Sequence, residues 1–268
     1  FKIKNKSIMN WRGCYTLYLK EVNRFLNVYN QTLIAPLINA LLLLSVFKLS
    51  IGQRGHEIEG LPFVQFIIPG LIMMTIMQNA FANTSSTITF GKVLGIIIDT
   101  LLSPLSPRDI TIAMALGGVT RGIASGLVIA VAVYVIGYFF DPTMLFEIKH
   151  FWIMVFYLFF SSLMLSLLGM ITGIISDSFD QMSAITSFII TPLSFLSGTF
   201  YSVKSLPDIF YQISHFNPFF YMIDGFRYSI TGYSDFSIST GIITLLAVNS
   251  VLFFAVYKML KTGYRIKS

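Results

Sequence analysis

Apolar residues run along this chain in long blocks rather than in the mixed polar and apolar turns of a soluble fold. Six stretches, 25–47, 60–91, 122–140, 151–176, 181–203 and 236–257, carry no Asp, Glu, Lys or Arg. A hydrocarbon core of about 30 Å is crossed by roughly 20 apolar residues at about 1.5 Å rise per residue. Each stretch is long enough to span, and a soluble domain has no use for six of them because its surface helices must show water a polar face. The pattern predicts an all-α, polytopic membrane protein with six transmembrane helices.

Helical periodicity replaces the block pattern near the N-terminal end. Trp11, Tyr15, Tyr18, Val22, Phe25 and Tyr29 recur at spacings of three and four, with Arg12, Lys20, Asn23, Arg24 and Asn27 between them. That stripe predicts an N-terminal interfacial helix, apolar face in lipid and basic face toward phosphates, so that 1–29 form a cytoplasmic and interfacial segment. A cytoplasmic extension of the first span is the alternative. Pro36 in the first run and Pro69-Gly70 in the second read as kinks that neighbouring helices satisfy.

From 83 to 109 the chain turns polar and broken. The 86–107 stretch is the longest inward-facing connection and reads as a cytoplasmic coupling segment where a partner is met. Its centre, Ile96 to Leu102, suits a short helix that either offers Leu and Ile to a groove or caps the bundle. The third span is expected to begin at Pro107 and Asp109. It carries Gly118, Gly122 and Gly126, and the fourth carries Gly169 and Gly173; small residues four apart let helices approach closely in lipid. Arg121 interrupts the third run, either as a functional charge or as one that snorkels to the cytoplasmic end. Asp177 and Asp180 read as the turn and helix start before the fifth run.

Ser205-Leu206-Pro207-Asp208 looks like a helix start with a capping-box-like Asp, Asn217-Pro218 like a turn and Gly232 like a stop. The apolar pieces between, 209–216 and 219–231, are too short to span. They predict an outer re-entrant helical hairpin over 202–232, or an interfacial one, buried in protein. Asp224 and Arg227, three apart on one helix face, are expected there either to pair or to bind neighbouring backbone groups.

Composition agrees: 55% of residues are hydrophobic and 11% charged, against about 25% charged in a soluble domain. The net charge of +6 does not point to nucleic acid, because the basic residues gather at the ends. Lys2, Lys4, Lys6, Arg12, Lys20 and Arg24 precede the first run, and Lys258, Lys261, Arg265 and Lys267 follow the last. Six spans put both ends on one side with Lys92 and Arg108, while Arg54, Lys149, Lys204, Arg227 and most acids fall opposite. The positive-inside rule then predicts that both termini are cytoplasmic. The first run is longer than a signal core and lacks a cleavage site followed by a soluble domain, so it reads as a retained span.

Little chemistry is written into the chain. Cys14 is the sole cysteine, which excludes an intramolecular disulfide and a cysteine-built metal site. His56 beside Glu57 and Glu59 reads as a solvated loop, and no metal site is expected. There is no phosphate loop, no H-E-x-x-H, no G-x-S-x-G and no carboxylate pair inside a span. No catalytic residue is expected, and the chain reads as no enzyme; transport, channel function and scaffolding remain. Aromatics such as Tyr138, Phe139, Phe140 and Trp152 suit either a path for sugars or amphiphiles or an interfacial belt.

Thr191-Pro192-Leu193-Ser194-Phe195-Leu196-Ser197-Gly198-Thr199-Phe200-Tyr201-Ser202, then Leu206-Pro207, then Asn217-Pro218 through Asp224 to Arg227-Tyr228, resembles an ABC-2-type transporter permease. Gln65-Phe66-Ile67-Ile68-Pro69-Gly70-Leu71 and Leu101-Leu102-Ser103-Pro104-Leu105-Ser106-Pro107 extend the likeness, which covers nearly the whole of 1–268 as a single transmembrane domain. It is most similar to the bacterial multidrug and nodulation-factor exporter branch. The resemblance implies a homodimer in the bacterial inner membrane with two copies of a separate ATP-binding subunit, which holds the ATP and Mg²⁺ that this chain does not. It implies a cytoplasmic coupling helix around 92–102, where Lys92, Asp99, Leu101 and Leu102 are the candidates to meet the ATPase; an acidic pair common in the family is reduced here to Asp99 beside Thr100. It also implies outer re-entrant helices carrying Pro207, Asn217, Pro218, Asp224 and Arg227. The expected function is export of an amphiphilic, drug-like, lipid or glycan substrate by alternating access. An ATP-independent secondary transporter or channel, or a membrane scaffold, is the alternative; the lack of ionisable residues within the spans and of an inverted repeat argues against the first of these.

Overall fold

The computed structural model describes residues 9–50 and 57–265. Arg54 and His56 of the polar loop, and Lys2, Lys4, Lys6 and Lys267, lie outside the described residues. The helices are α1 (Trp11–Asn27), α2 (Ala35–Ser50), α3 (Phe63–Val93), α4 (Ile97–Leu102), α5 (Pro107–Phe140), α6 (Phe151–Ile175), α7 (Phe179–Ile185), α8 (Thr191–Leu196), α9 (Asp208–Ser214), α10 (Pro218–Thr231) and α11 (Ile238–Thr262). Glu57–Ile58 and Leu61–Pro62 form a two-residue antiparallel ladder, a small departure from an all-α chain.

Among the described residues five helical stretches are long and apolar enough to cross a membrane: Asn30–Ser50, Phe63–Val93, Pro107–Phe140, Phe151–Ile175 and Ile238–Thr262. The first run thus starts later than its charge-free stretch, because α1 takes up Phe25. The fifth run is helical as far as Leu196 and is divided by a π turn, Thr186–Ile190, between α7 and α8. A second π turn, Asn30–Ile34, opens the first span. Each hands over to an α-helix whose second residue is proline, Pro36 or Pro192. Proline has no N–H to give and its ring crowds the carbonyl four residues back, so a wider turn there relieves the clash.

α3 is the axis of the bundle. Of its most apolar window 89% is buried, against 17% to 39% for the other four spans, and α5, α6 and α10 pack around it. The glycine stripes make that possible. A Cβ on Gly122 would stand 2.8 Å from the Ile76 carbonyl of α3, and one on Gly173 would stand 2.8 Å from Ile88 Cβ. Thr84 Oγ1 donates to the Ser166 carbonyl at 2.7 Å and Ser166 Oγ to the Ala115 carbonyl at 2.9 Å, so α3, α6 and α5 are also stitched by hydrogen bonds. Interhelical bonds of this kind contribute roughly 0.6 to 2 kcal/mol each in a membrane.

α1 is capped by Asn10, whose side chain accepts from the Gly13 N–H. Trp11 and Tyr15 of the predicted apolar stripe are exposed, but a different stripe, Cys14, Leu17, Glu21 and Phe25, is buried against α5 and α3. Burial raises the Cys14 thiol above its ordinary pKa, and nearby Asp109 raises it further. α5 starts where expected: Ser106 caps it, Pro107 is its first residue, and Ser106 and Asp109 exchange both bonds of a capping box. At its far end Asp141 pairs with Lys48 of α2. Burial alone would raise the Asp141 carboxyl, but the Lys48 and Thr143 hydrogen bonds outweigh it and leave the pKa lowered.

The 202–232 segment departs in two ways from the expected buried hairpin. No capping box forms at Ser205, which lies in a 3-10 turn and donates to the Ser202 carbonyl, so Pro207 precedes α9 without a side-chain cap. α10 lies deep against α3, α6 and α11, whereas α9 contributes no buried residue and exposes Ile209, Phe210 and Ile213, with Phe216 exposed in the turn after it. Asn217 caps α10 through its side chain, and Gly232 ends it at φ 78°, a left-handed conformation that glycine adopts without strain.

Candidate functional site

The coupling candidates divide. Lys92 Nζ donates to the Ile174 and Ser176 carbonyls at 2.8 Å each and to Asp177 Oδ1 at 3.1 Å, and its side chain is only 5% exposed. It caps the C-terminal end of α6, where a cation meets the free carbonyls and the negative end of the helix dipole. In α4, Leu101 turns inward onto the cluster of Cys14, Leu17 and Ile110, while Asp99 and Leu102 face outward. Beside them an apolar groove of about 180 Å³ runs between α4 and α1, lined by Leu17, Lys20, Ile97 and Leu101 among others.

In the outer segment Asp224 and Arg227 do not pair with each other. Arg227 is wholly buried; Nε donates to the Phe66 carbonyl at 3.2 Å, Nη2 donates to the Gly198 carbonyl, and the guanidinium lies 3.7 Å from the Phe66 ring centroid. Gly198 can present that carbonyl because its φ is 77°, which accounts for the glycine of the Ser-Gly-x-Phe pattern. Asp224 instead accepts from the N–H groups of Asp235, 2.8 Å, and Phe236, 3.2 Å, and from Ser234 Oγ. Asn217 Nδ2 donates to Ser197 Oγ at 2.9 Å, and Ser202 Oγ donates to Asp235 Oδ1 at 2.6 Å. Residues 197–202, α10 with its cap and residues 234–236 are therefore drawn into one hydrogen-bonded knot against α3.

A third region was not assembled by sequence spacing. Between α1, α2, α3, α5 and the α7–α8 helix lies a cleft of about 900 Å³. Gln31 and Thr32 come from the first π turn, Thr186 and Ser187 from the second, and Asn39, Gln78, Asn79, Ser183 and Thr191 from the adjoining helices. Among the described residues two cations face it, Arg24 and Arg121, and no carboxylate does. Arg24 is held by Asn83, whose carbonyl and Oδ1 each accept at 2.9 Å, and by Glu21 at 3.2 Å; the buried Glu21 also accepts from Thr87.

Arg121 lies fourteen residues into α5, about 21 Å along the helix at about 1.5 Å per residue. It does not extend to the helix end. Nη2 donates to Asn79 Oδ1 at 3.3 Å, and Nε is buried without a partner. A charge so far inside an apolar helix is costly unless it meets water or a partner, and here its side chain lines the cleft. One signal was available in the sequence: Gln31, Asn39, Gln78 and Asn79 are polar residues within charge-free runs. Counting only charged interruptions hides them.

The chain's residues 12–231 match the family model described as ABC-2 type transporter. The chain belongs to the ABC-2 type transporter family. It is 34% identical over 259 residues to the protein named inner membrane transport permease YadH of Escherichia coli (strain K12), covering 96% of this chain and 98% of that protein. It is 26% identical over 184 residues, 68% of each chain, to nodulation protein J of Rhizobium leguminosarum bv. viciae. Nodulation protein J of Sinorhizobium fredii (strain NBRC 101917 / NGR234) matches at 22% over 178 residues, 66% of this chain and 65% of that protein. Of the motifs that carried the resemblance, those over 191–202 and 217–228, with Phe66, build the α8–α11 knot in this ABC-2 chain, and 101–107 forms the end of α4 and the cap of α5. The cleft, in turn, lies between helices of a multi-pass transport permease family.

Proposed function

We propose that this chain is the membrane subunit of an ATP-binding cassette exporter of the inner membrane, moving an amphiphilic substrate outward while a separate P-loop subunit hydrolyses ATP. One observation carries the reading: family membership coincides with a large polar cleft between the spans and with no phosphate loop in the chain. Two copies of the chain form the working unit, and the substrate moves between inward-facing and outward-facing states of the pair. Residues 179–196 and the turn after them make the sixth crossing, which returns both termini to the cytoplasm. α1 lies in the cytoplasmic interface with Trp11 and Tyr15 toward lipid, 86–107 meets the ATPase through the outward face of α4, and 202–232 forms the outer re-entrant segment. The close YadH relative is named for the inner membrane and for transport, which supports the location.

The test is copurification. The chain expressed in a bacterial membrane together with a candidate P-loop ATPase subunit is expected to elute as a complex of equal numbers of the two, with vanadate-sensitive ATP hydrolysis. A chain that purifies alone and supports ion-driven flux without ATP would overturn the reading.

A further inference from the structure

We infer that the cleft beside Arg121 binds the anionic head group of an amphiphile, a phosphate, sulfate or carboxylate carried on an apolar tail. Resting on the proposed transport function, this assigns the charge of the substrate class and the residues that read it.

The charge balance of the cleft carries the argument. Among the described residues, both ionisable ones that line it are arginines. Arg24 shares its charge with the buried Glu21, but none of the ion pairs among the described residues includes Arg121. Its Nε is buried with a hydrogen and no acceptor, while Nη2 makes one long bond to a neutral amide. A guanidinium holds five donors in a planar fork that matches two oxygens of an oxyanion, and it keeps its charge where an ammonium would lose it. Asn79 cannot supply both the charge and the second acceptor. The apolar half of the ligand has a place as well. Val28, Ala35 and Ile190 line the same cleft, and Ile38, Leu42 and Phe188 on its flanking helices are exposed.

Two π turns open onto this one cleft, from segments far apart in sequence. A π turn frees backbone groups and splays side chains, and such turns are frequent at functional sites. Here they bring Gln31 and Thr186 to the wall of the cleft; the Gln31 amide can donate to oxygens the guanidinium leaves, while the Thr186 hydroxyl already donates to the Met182 carbonyl at 2.9 Å.

The experiment needs no ATPase, so a failed copurification and a failed binding result remain separate findings. The purified full-length chain in neutral maltoside micelles is titrated with phosphatidylglycerol, with phosphatidylcholine and with inorganic phosphate, and bound lipid is counted by native mass spectrometry. Retention of phosphatidylglycerol is expected to exceed that of phosphatidylcholine by about tenfold, because both offer phosphate oxygens to Arg121 but choline adds a like charge beside the two arginines. Arg121→Gln should abolish the preference, Arg121→Lys, which lacks the planar fork, should weaken it, and Lys258→Gln, an exposed cation outside the cleft, should leave it intact. Gln31→Glu, at an exposed position, should weaken it by placing an acid in the cleft without removing a buried group, and it carries the test if Arg121→Gln does not fold. Equal retention of the two lipids, or a preference that survives both Arg121→Gln and Gln31→Glu, would overturn the inference. So would binding of inorganic phosphate alone with no lipid preference, which would make the ligand a soluble anion.

Discussion

Gly169 and Gly126 look interchangeable as small residues in apolar helices, yet they are held to glycine by different neighbours. A Cβ at Gly169 would overlap Thr84 Oγ1 and the Phe81 carbonyl, a backbone atom fixed in the α3 ladder. A Cβ at Gly126 would overlap only the Ile76 side chain, which can be trimmed. Gly169→Ala should therefore cost about 1 to 3 kcal/mol, and Thr84→Ala should recover little of that loss because the carbonyl stays. Gly126→Ala should be largely rescued by Ile76→Ala, measured as a favourable coupling in a double-mutant cycle of detergent unfolding. Full rescue of Gly169→Ala by Thr84→Ala would show that the backbone approach is not the constraint. The small-x-x-x-small pattern was legible in the sequence; which neighbour each glycine meets was not, because that depends on the azimuth of a helix from another part of the chain. Arg227 is the same case. Two arrangements were open from its spacing to Asp224, and the choice of carbonyls rests on the left-handed turn at Gly198, a feature of distant backbone.

At the scale of elements, α4 splits the Leu101-Leu102 pair that the sequence presents as one unit. Leu101 packs toward α1 and α5, and Leu102 is 57% exposed. If α4 docks on the ATPase, Leu102→Asp should leave the chain folded and lower its copurification with the subunit, whereas Leu101→Asp should lower the yield of folded chain by burying an unpaired charge. Normal assembly in Leu102→Asp would move the contact off α4. The helix starts most visible in the sequence, Ser106-Pro107 and Asn217-Pro218, are those whose chemistry is local: a side-chain acceptor beside a proline. At Ser205–Asp208 the helix start was legible, since α9 begins at Asp208, but the expected capping box does not form because the Ser205 hydroxyl reaches back to Ser202. α1 misled in another way. Its buried stripe includes Glu21, and an acid within an apolar face is counted as polar until its partners Arg24 and Thr87 are known. The π turns were invisible too, since Ala35-Pro36 and Thr191-Pro192 read equally well as ordinary kinks.

For the whole molecule, orientation is the expectation on which the others turn, and it rests on the distribution of Lys and Arg alone. The obvious probe, the single cysteine, is a poor one. Cys14 is 6% exposed, its Sγ faces the Asp109 carbonyl at 3.7 Å, and its raised pKa leaves less of the reactive thiolate at neutral pH. It should stay unlabelled in intact cells whichever side it occupies, so its silence carries no information about topology. On a Cys14→Ser background, exposed positions on the two sides of the first span serve instead: Lys20→Cys in α1 and Glu59→Cys in the β-turn. With both termini cytoplasmic, a membrane-impermeant maleimide should label Glu59→Cys in intact cells and Lys20→Cys only after the membrane is opened. The reverse pattern would invert the bundle and place the outward face of α4 outside, away from any ATP. Labelling of both positions in intact cells would mean that the first span does not cross, and the cleft between α1, α2 and α3 would then no longer lie at membrane depth.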